Sequence, residues 1–336
     1  MFENKTILVT GGTGSFGNYI CHRLLNEYNP KEIRILSRDE KKQYDMRIHY
    51  KSHPKLKFFI GDIRDFSRVN EVMSGVDIVY QAAALKHVPV CEQSPFEAIK
   101  TNVVGVENVI RAALSHGVKS MVCVSTDKAV KPVNVMGMTK ALQERLMLAA
   151  NNAPDNKGTT VCVVRYGNVL LSRGSVIPYF RKLLSEGRNI TITDKDMTRF
   201  LLTLSDAIDL VMYATVHMQG GETFVKKAPS AYIEDIAEVL CKEQNLPYQK
   251  EYIGRLPGEK LDEILLTEEE LPRSKDMGDY ICVHPWWKKE VYNDFSKEYS
   301  SGDEIEKDHG RIAELIAEAD KMAATINIEK GEFSKL

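Results

Sequence analysis

The sequence has no CxxC pair, and its six cysteines, Cys21, Cys91, Cys123, Cys162, Cys241 and Cys282, stand far apart. That spacing excludes a disulfide framework and a cysteine-based zinc site, and leads us to expect a reduced, cytoplasmic protein. No apolar run approaches the ~18 residues a membrane helix needs, and residues 1–5 lead directly into a strand-like run, so neither a membrane span nor a signal peptide is expected. Net charge is nearly absent too. At −2 it does not suit a nucleic-acid binder, which is usually basic. No internal repeat and no low-complexity linker are visible. What remains is ordinary for a globular protein: 336 residues, 43% apolar and 27% charged, enough for one large domain or two smaller ones.

The chain opens on a strand at residues 5–10, with Ile7-Leu8-Val9 as its core. Thr10 then leads into Gly11-Gly12-Thr13-Gly14-Ser15-Phe16-Gly17, a helical pattern with Phe16, Ile20 and Leu24 on one face, and a second strand at 33–36. Strand, glycine loop, helix, strand is the context a dinucleotide fingerprint requires. The glycines permit a tight turn and close backbone approach to a pyrophosphate, which the helix N-terminus stabilises. The second strand ends in Ser37-Arg38-Asp39-Glu40-Lys41-Lys42. An acidic residue there would hold the ribose 2′-hydroxyl of NAD. Ser37, Arg38 and Lys41 suit the 2′-phosphate of NADP instead, and Asp39 and Glu40 argue the other way. The bland alternative is a charged turn that starts a solvated helix.

Further strands are expected at 56–60, 77–84, 121–125 and 160–164, with helices over 97–114 and 135–150. This alternation gives a doubly wound parallel α/β sheet of Rossmann type. Asp62 would lie near an adenine edge or cap a helix. Ala82-Ala83-Ala84 would let the backbone pass beneath a flat cofactor. Asn102 is polar among apolar neighbours, and its plain reading is a buried amide at a helix bend. After Arg165-Tyr166-Gly167-Asn168 the rhythm changes to loops, short strands at 189–193, 223–227 and 249–253, helices at 206–217 and 233–242, an irregular aromatic stretch at 277–287, and an amphipathic helix at 308–324. The expected division is a dinucleotide-binding domain over 1–167, rejoined by 206–218. A smaller C-terminal α/β substrate-binding subdomain covers 168–205 and 219–290, and a tail covers 291–336. Arg173, Arg181 and Arg199 are candidate phosphate ligands, because a guanidinium pairs well with phosphate oxygens; Arg173 is the strongest.

Chemistry concentrates at 121–140. A buried strand ends in Ser125-Thr126-Asp127-Lys128, and the following helix carries Met136 and Lys140 on one face, four residues apart. In open α/β sheets ligands bind outside the carboxyl ends of the strands. The competing reading is that Ser125 and Thr126 are caps and Asp127-Lys128 a solvated pair.

Taken together, TGGTGSFG (10–17), SRDEKK (37–42), GDIRD (61–65), AAALKHVP (82–89), STDKAVKP (125–132), MGMTK (136–140), RYGN (165–168), SRGSVIP (172–178), TITDKDMTRF (191–200) and KAPS (227–230) resemble the UDP-N-acetylglucosamine 4,6-dehydratases of the extended short-chain dehydrogenase/reductase superfamily. The resemblance covers roughly residues 5–285. It departs from the superfamily at one place, since Met136 stands where the usual Tyr-x-x-x-Lys pair has tyrosine. A thioether has no proton to exchange. A subgroup with Met-x-x-x-Lys includes short 5-inverting enzymes and long, membrane-anchored 5-retaining ones, and the lack of a membrane segment favours the former.

The resemblance implies tightly bound NADP, recycled in each turnover, and UDP-N-acetylglucosamine as substrate. The product would be UDP-2-acetamido-2,6-dideoxy-β-L-arabino-hex-4-ulose for bacterial surface polysaccharide, with C3 epimerisation left open. A homo-oligomer, a hexamer, is implied in the same way. Oxidation at C4 acidifies the C5 proton; a base removes it while an acid helps the C6 hydroxyl leave; C6 is then reduced and C5 reprotonated on the opposite face. Asp127 is implied as the acid at C6, Lys128 as the base at C5, and Lys140 as holding the nicotinamide ribose; the resemblance assigns no base for the C4 hydroxyl, for which we expect Lys128 to act through Thr126 or a water. A neutral Lys128 is expected if burial beside another cation, Lys140 or Lys86, lowers its pKa. Ile63, Lys86, Asn102, Ser125, Tyr166 and Asn168 complete the implied cofactor site. Lys86, His87, Thr126, Asn168 and Ser172 are the implied substrate contacts nearest the catalytic stretch. Arg173, Ser175, Val176, Thr191, Thr193, Arg199 and Glu259 are the rest. The alternatives are a 5-retaining dehydratase, a nucleotide-sugar 4-epimerase, and a catalytically silent NADP-binding regulator.

Overall fold

The computed structural model describes residues 1–172 and 174–326. Its centre is a nine-stranded sheet. The first six strands are β1 (Thr6–Thr10), β2 (Glu32–Ser37), β3 (Leu56–Ile60), β4 (Ile78–Gln81), β5 (Ser120–Val124) and β6 (Thr160–Arg165). They are parallel and lie in the spatial order β3-β2-β1-β4-β5-β6. The order reverses between β1 and β4, which makes a crevice at their carboxyl ends, the usual ligand position in this topology. Every residue of β1 is buried, as a strand covered by helices on both faces must be. Helix α1 (Ser15–Glu27) follows β1 directly.

Two expected elements end differently. The fourth strand stops at Gln81 rather than running on to residue 84. The Thr10 hydroxyl accepts from the Ala82 and Ala83 N–H groups at 3.1 and 3.2 Å, taking the place of ladder partners, so the alanines peel away into the crevice. The helix expected over 97–114 is broken into Pro95–Ile99, a π-helical turn Lys100–Val104, and Gly105–His116. Such turns are common at functional sites because they turn an extra side chain inward; here Thr101 and Asn102 are the buried ones.

Beyond β6 the sheet is extended by Thr223–Lys226, parallel to β6, then by Tyr280–Val283 and Ser274–Asp276, both antiparallel. The stretch expected to be irregular at 277–287 thus contributes a buried sheet strand, and part of 219–290 belongs to the large sheet rather than to a separate layer. Asn168–Val169, Thr198–Leu202 and Ser230–Tyr232 form a small second sheet facing the crevice. Helix His309–Ile326 buries Ile312, Leu315, Ile316 and Ala319 against Val176–Ser185 and Ile233–Glu243, the plain packing role its periodicity suggests. No described helix is long and apolar enough to cross a membrane.

Candidate active site

A cleft of about 990 Å³ opens over the carboxyl ends of β1, β2, β4, β5 and β6. Along one end it is lined by Gly11, Thr13, Gly14, Ser15, Phe16, Ser37, Arg38, Asp62, Ile63 and Ala82–Ala84. Gly11 has φ +64°, and a Cβ there would come within 2.9 Å of the Ala83 Cα. Only glycine permits both this turn and this approach. Gly14 caps α1 without any side-chain bond, which leaves the first-turn N–H groups directed at the cleft. Two expected members of the loop do other work. Gly17 faces Gly12, and Thr10 is wholly buried, donating to Gln81 at 2.6 Å.

At the end of β2, the Ser37 hydroxyl lies 2.8 Å from that of Thr13. The Arg38 guanidinium is half exposed and 3.6 Å from Asp62. Asp39 also lines the cleft but is engaged by its own helix: it accepts from the Lys42 N–H at 3.0 Å and pairs with the Lys42 ammonium at 3.2 Å. Those contacts, the backbone bond first, hold its carboxyl below the usual range. Glu40 is exposed. Lys41, expected in the site, pairs with Asp45 at 2.8 Å and does not line the cleft, where Lys42 does. Burial opposes the charge of Asp62, but its bonds from Arg64 and the nearby Arg38 outweigh that and keep it low.

The floor of the cleft is the turn after β5. Thr126 is extended and caps a single 3-10 turn, Asp127–Ala129. Asp127 is fully buried. Its Oδ1 accepts from the Thr126 hydroxyl at 2.7 Å and from Lys128 Nζ at 3.1 Å, while Oδ2 has no hydrogen-bond partner among the described residues. Burial pushes this carboxyl above the usual range against the pull of Lys128; a nearby buried carboxylate, Glu263, adds to the rise. Lys128 Nζ also reaches Glu263 at 3.1 Å and Asn168 Oδ1 at 3.2 Å. Burial disfavours its ammonium, but Asp127 and Glu263 more than restore it, so its pKa is raised. The expectation that neighbouring cations make Lys128 neutral is therefore overturned: its closest neighbours are two carboxylates. The Thr126 hydroxyl is committed to Asp127.

Helix Val135–Ala149 packs tightly on this turn, since a Cβ on Gly137 would sit 2.2 Å from the Lys128 carbonyl oxygen. This contact places Met136 and Lys140 against the cleft. Met136 is buried beside Cys91 and Ala98. Lys140 donates to the Val124 carbonyl at 2.7 Å and to Gln143 at 3.0 Å. Burial lowers its pKa, with Cys123 and Glu144 opposing. Of the two lysines, Lys140 is thus the one whose charge the protein disfavours, the reverse of the expected assignment.

Lys86, His87, Ser125, Tyr166, Asn168, Ser172 and Ser175 also line the cleft, as expected, and Thr101 joins them. Burial lowers the His87 pKa, with Lys86 adding to the effect. Several other expected residues are elsewhere. Asn102 clamps the loop after β4, bonding both the N–H and the carbonyl of Leu85 at 2.8 and 2.9 Å, which is the buried-amide role. Val176 begins its helix outside the cleft lining, Thr191 meets Tyr179, and Thr193 meets Met197. Glu259 accepts from the Leu256 N–H at 2.9 Å. Arg199 is buried and bonds the carbonyls of Thr198, Lys260 and Leu261 at 2.6–3.0 Å. Arg181 pairs with Asp320 at 2.7 Å. Arg173 lies outside the described residues. Sequence reasoning missed Glu263, Lys260 and Thr101. Glu263 is an acid before the apolar run Ile264–Leu266, with no local sign of where it points.

Residues 7–285 match the model of a family described as "Polysaccharide biosynthesis protein". A protein of Rickettsia canadensis (strain McKiel) named UDP-glucose 4-epimerase is 50% identical over 286 residues, 84% of each chain. Its namesake in Rickettsia typhi (strain ATCC VR-144 / Wilmington) is 49% identical over the same length. Among solved structures, Pen from Bacillus thuringiensis superposes with a TM-score of 0.90 at 36% identity, covering 96% of this chain and 99% of that one. The dTDP-glucose 4,6-dehydratase DesIV from Streptomyces venezuelae, with NAD and TYD bound, shares the fold at 21% identity and TM-score 0.69, over 76% of this chain and 86% of its own. The chain thus belongs to the polysaccharide biosynthesis protein family and has the extended short-chain dehydrogenase/reductase fold of nucleotide-sugar dehydratases and epimerases.

Proposed function

We propose that the protein is a UDP-N-acetylglucosamine 4,6-dehydratase that inverts C5. The observation that carries this is Asp127, a buried carboxyl beside Lys128 on the cleft floor, with one oxygen engaged and the other without a hydrogen-bond partner among the described residues. Burial favours its neutral form. A neutral carboxyl whose proton sits on Oδ2 is an acid awaiting a substrate hydroxyl, and elimination of the C6 hydroxyl needs one. Exchange of configuration at C4 does not.

The glycine loop, whose Gly11 and Gly14 line the cleft, and the N-terminus of α1, which has no side-chain cap, fit a dinucleotide pyrophosphate. Ser37 and Arg38 would hold a 2′-phosphate, with Lys42 beside them, while Asp39 is occupied as a helix cap. This favours NADP. When bound, the nicotinamide supplies hydride exchange with C4 and C6 of the sugar. The chain's own residues do the remaining work. Lys140, bonded to Val124 and Gln143, would hold the nicotinamide ribose. Asp127 protonates the departing C6 hydroxyl. Lys128 takes the C5 proton from its neutral form, whose share rises with pH. Buried Met136 packs and exchanges no proton. A general acid or base of this kind contributes ~10²–10⁴-fold.

The second reading is a 4-epimerase, which the names of the Rickettsia relatives favour. Incubating purified protein with UDP-N-acetylglucosamine and following the product by mass spectrometry and proton NMR separates the two. Loss of one water with inverted C5 supports the dehydratase. A product of unchanged mass epimerised at C4 replaces it with the second reading.

A further inference from the structure

Asp127 and Lys128 arise from one turn, yet the charged groups packed on it come from segments far along the chain. Glu263 is 2% exposed and does not line the cleft, so it is not placed to touch substrate. Its Oε1 lies 3.1 Å from Lys128 Nζ, the same separation as between Lys128 Nζ and Asp127 Oδ1. Lys260 approaches its Oε2 at 3.5 Å and Arg199 Nε its Oε1 at 3.8 Å. Among the described residues, the charged groups facing Lys128 are therefore Asp127 on its own turn, Glu263 and Lys260 on the 260–263 segment, and Arg199 on Thr198–Leu202; Asn168 adds a neutral contact. The segment is anchored without the carboxylate, since the Glu263 N–H donates to Ser301 at 2.9 Å and Asp262 accepts from Thr198 at 2.6 Å.

We propose that Glu263 is a positioning residue of the catalytic site, whose carboxylate holds the Lys128 side chain against Asp127 and sets the protonation of the two as a unit. The proposal rests on the dehydratase reading, in which Asp127 gives and Lys128 takes a proton. Its physical basis is that an added negative charge at this distance favours the protonated form of both neighbours. It raises the Lys128 pKa by attraction to the ammonium, and that of Asp127 by repulsion between carboxylates.

The sign is the same for both groups, which gives the test. Glu263→Gln keeps the shape and removes the charge, so both limbs of the pH profile of kcat should move toward acid. A charge partner at 4–6 Å or less shifts a pKa by about 1–3 units, so we expect displacements of about one unit or more. KM for UDP-N-acetylglucosamine should change less than about threefold, as Glu263 is not a lining residue. Glu263→Asp retains the charge but withdraws it, and its limbs should lie between those of wild type and Glu263→Gln. If Glu263→Gln does not fold by circular dichroism, the limbs of Glu263→Asp decide, and they should still lie acid of wild type. Limbs that coincide with wild type in the folded variants, or that move in opposite directions, overturn the proposal. Wild-type protein that releases no water from the substrate overturns the dehydratase reading instead, so the two failures are distinct.

Discussion

Replacing Arg165 with methionine should unfasten the floor of the site from within. Arg165 ends β6 and is buried, and its guanidinium reaches both Glu144 oxygens, the nearer at 2.7 Å, and Glu270 at 2.9 Å. Glu144 in turn accepts from Ser125 at 2.5 Å, and Glu270 caps the 3-10 turn Glu268–Arg273. One cation thus joins the end of β5 to the segment that carries Glu263. Both carboxylates are at most 4% exposed, and stripping a buried pair of its counter-ion costs about 3–5 kcal/mol. With an unfolding entropy of about 2.1 cal/mol/K per residue, a chain of 336 residues has about 0.7 kcal/mol/K, so the melting temperature should fall by about 4–7 °C at pH 7. The pH dependence is a second readout. In the wild type, burial raises the Glu270 pKa, but Arg165 and the Thr267 N–H lower it further, leaving it below the ordinary value. A depressed carboxyl contributes stability above its unfolded pKa of about 4.3 and loses that contribution as pH falls through the folded value. The gap between Arg165→Met and wild type should therefore be full at pH 7 and narrow below about pH 4. Differential scanning calorimetry across that range measures it. A drop under about 1 °C at pH 7, or a gap that does not change with pH, refutes the account of Arg165 as the counter-ion of two buried carboxylates.

Arg38→Ala should weaken NADP about ten- to a hundred-fold, the loss of one charge-assisted bond, and NAD far less; equal losses in calorimetry would remove the 2′-phosphate assignment. Met136→Leu nearly conserves volume and should retain most turnover, so a large loss with folding and cofactor binding intact would give the thioether a chemical role. Asp127→Asn should oxidise C4 but not eliminate, so that NADPH absorbance builds up without release of water. Lys128→Ala should likewise build up NADPH absorbance, with turnover lower by ~10²–10⁴-fold; neither absorbance nor product would extend Lys128 to the C4 hydroxyl proton.

The succession of strands and helices, the glycine loop and the place of Asp127 and Lys128 after a strand could be read from sequence alone, because each depends on near neighbours in the chain. A run such as Ile7-Leu8-Val9 must be buried, Gly11 must turn where only glycine can, and a polar cluster after a buried strand must fall at the sheet's carboxyl edge. What the polar groups are bonded to, and in which charge state, was decided by the tertiary structure. The Lys128 ammonium is kept by Asp127 beside it and by Glu263, far along the chain, while Lys140, one helical turn past Met136, is buried where its charge is disfavoured. Asn102 was pulled into a structural clamp by a π-turn that helical periodicity does not announce, and Arg199, a candidate phosphate ligand, was spent on three backbone carbonyls. Periodicity is a property of neighbours, but a charge responds to every group within several ångströms, and only folding determines which groups those are.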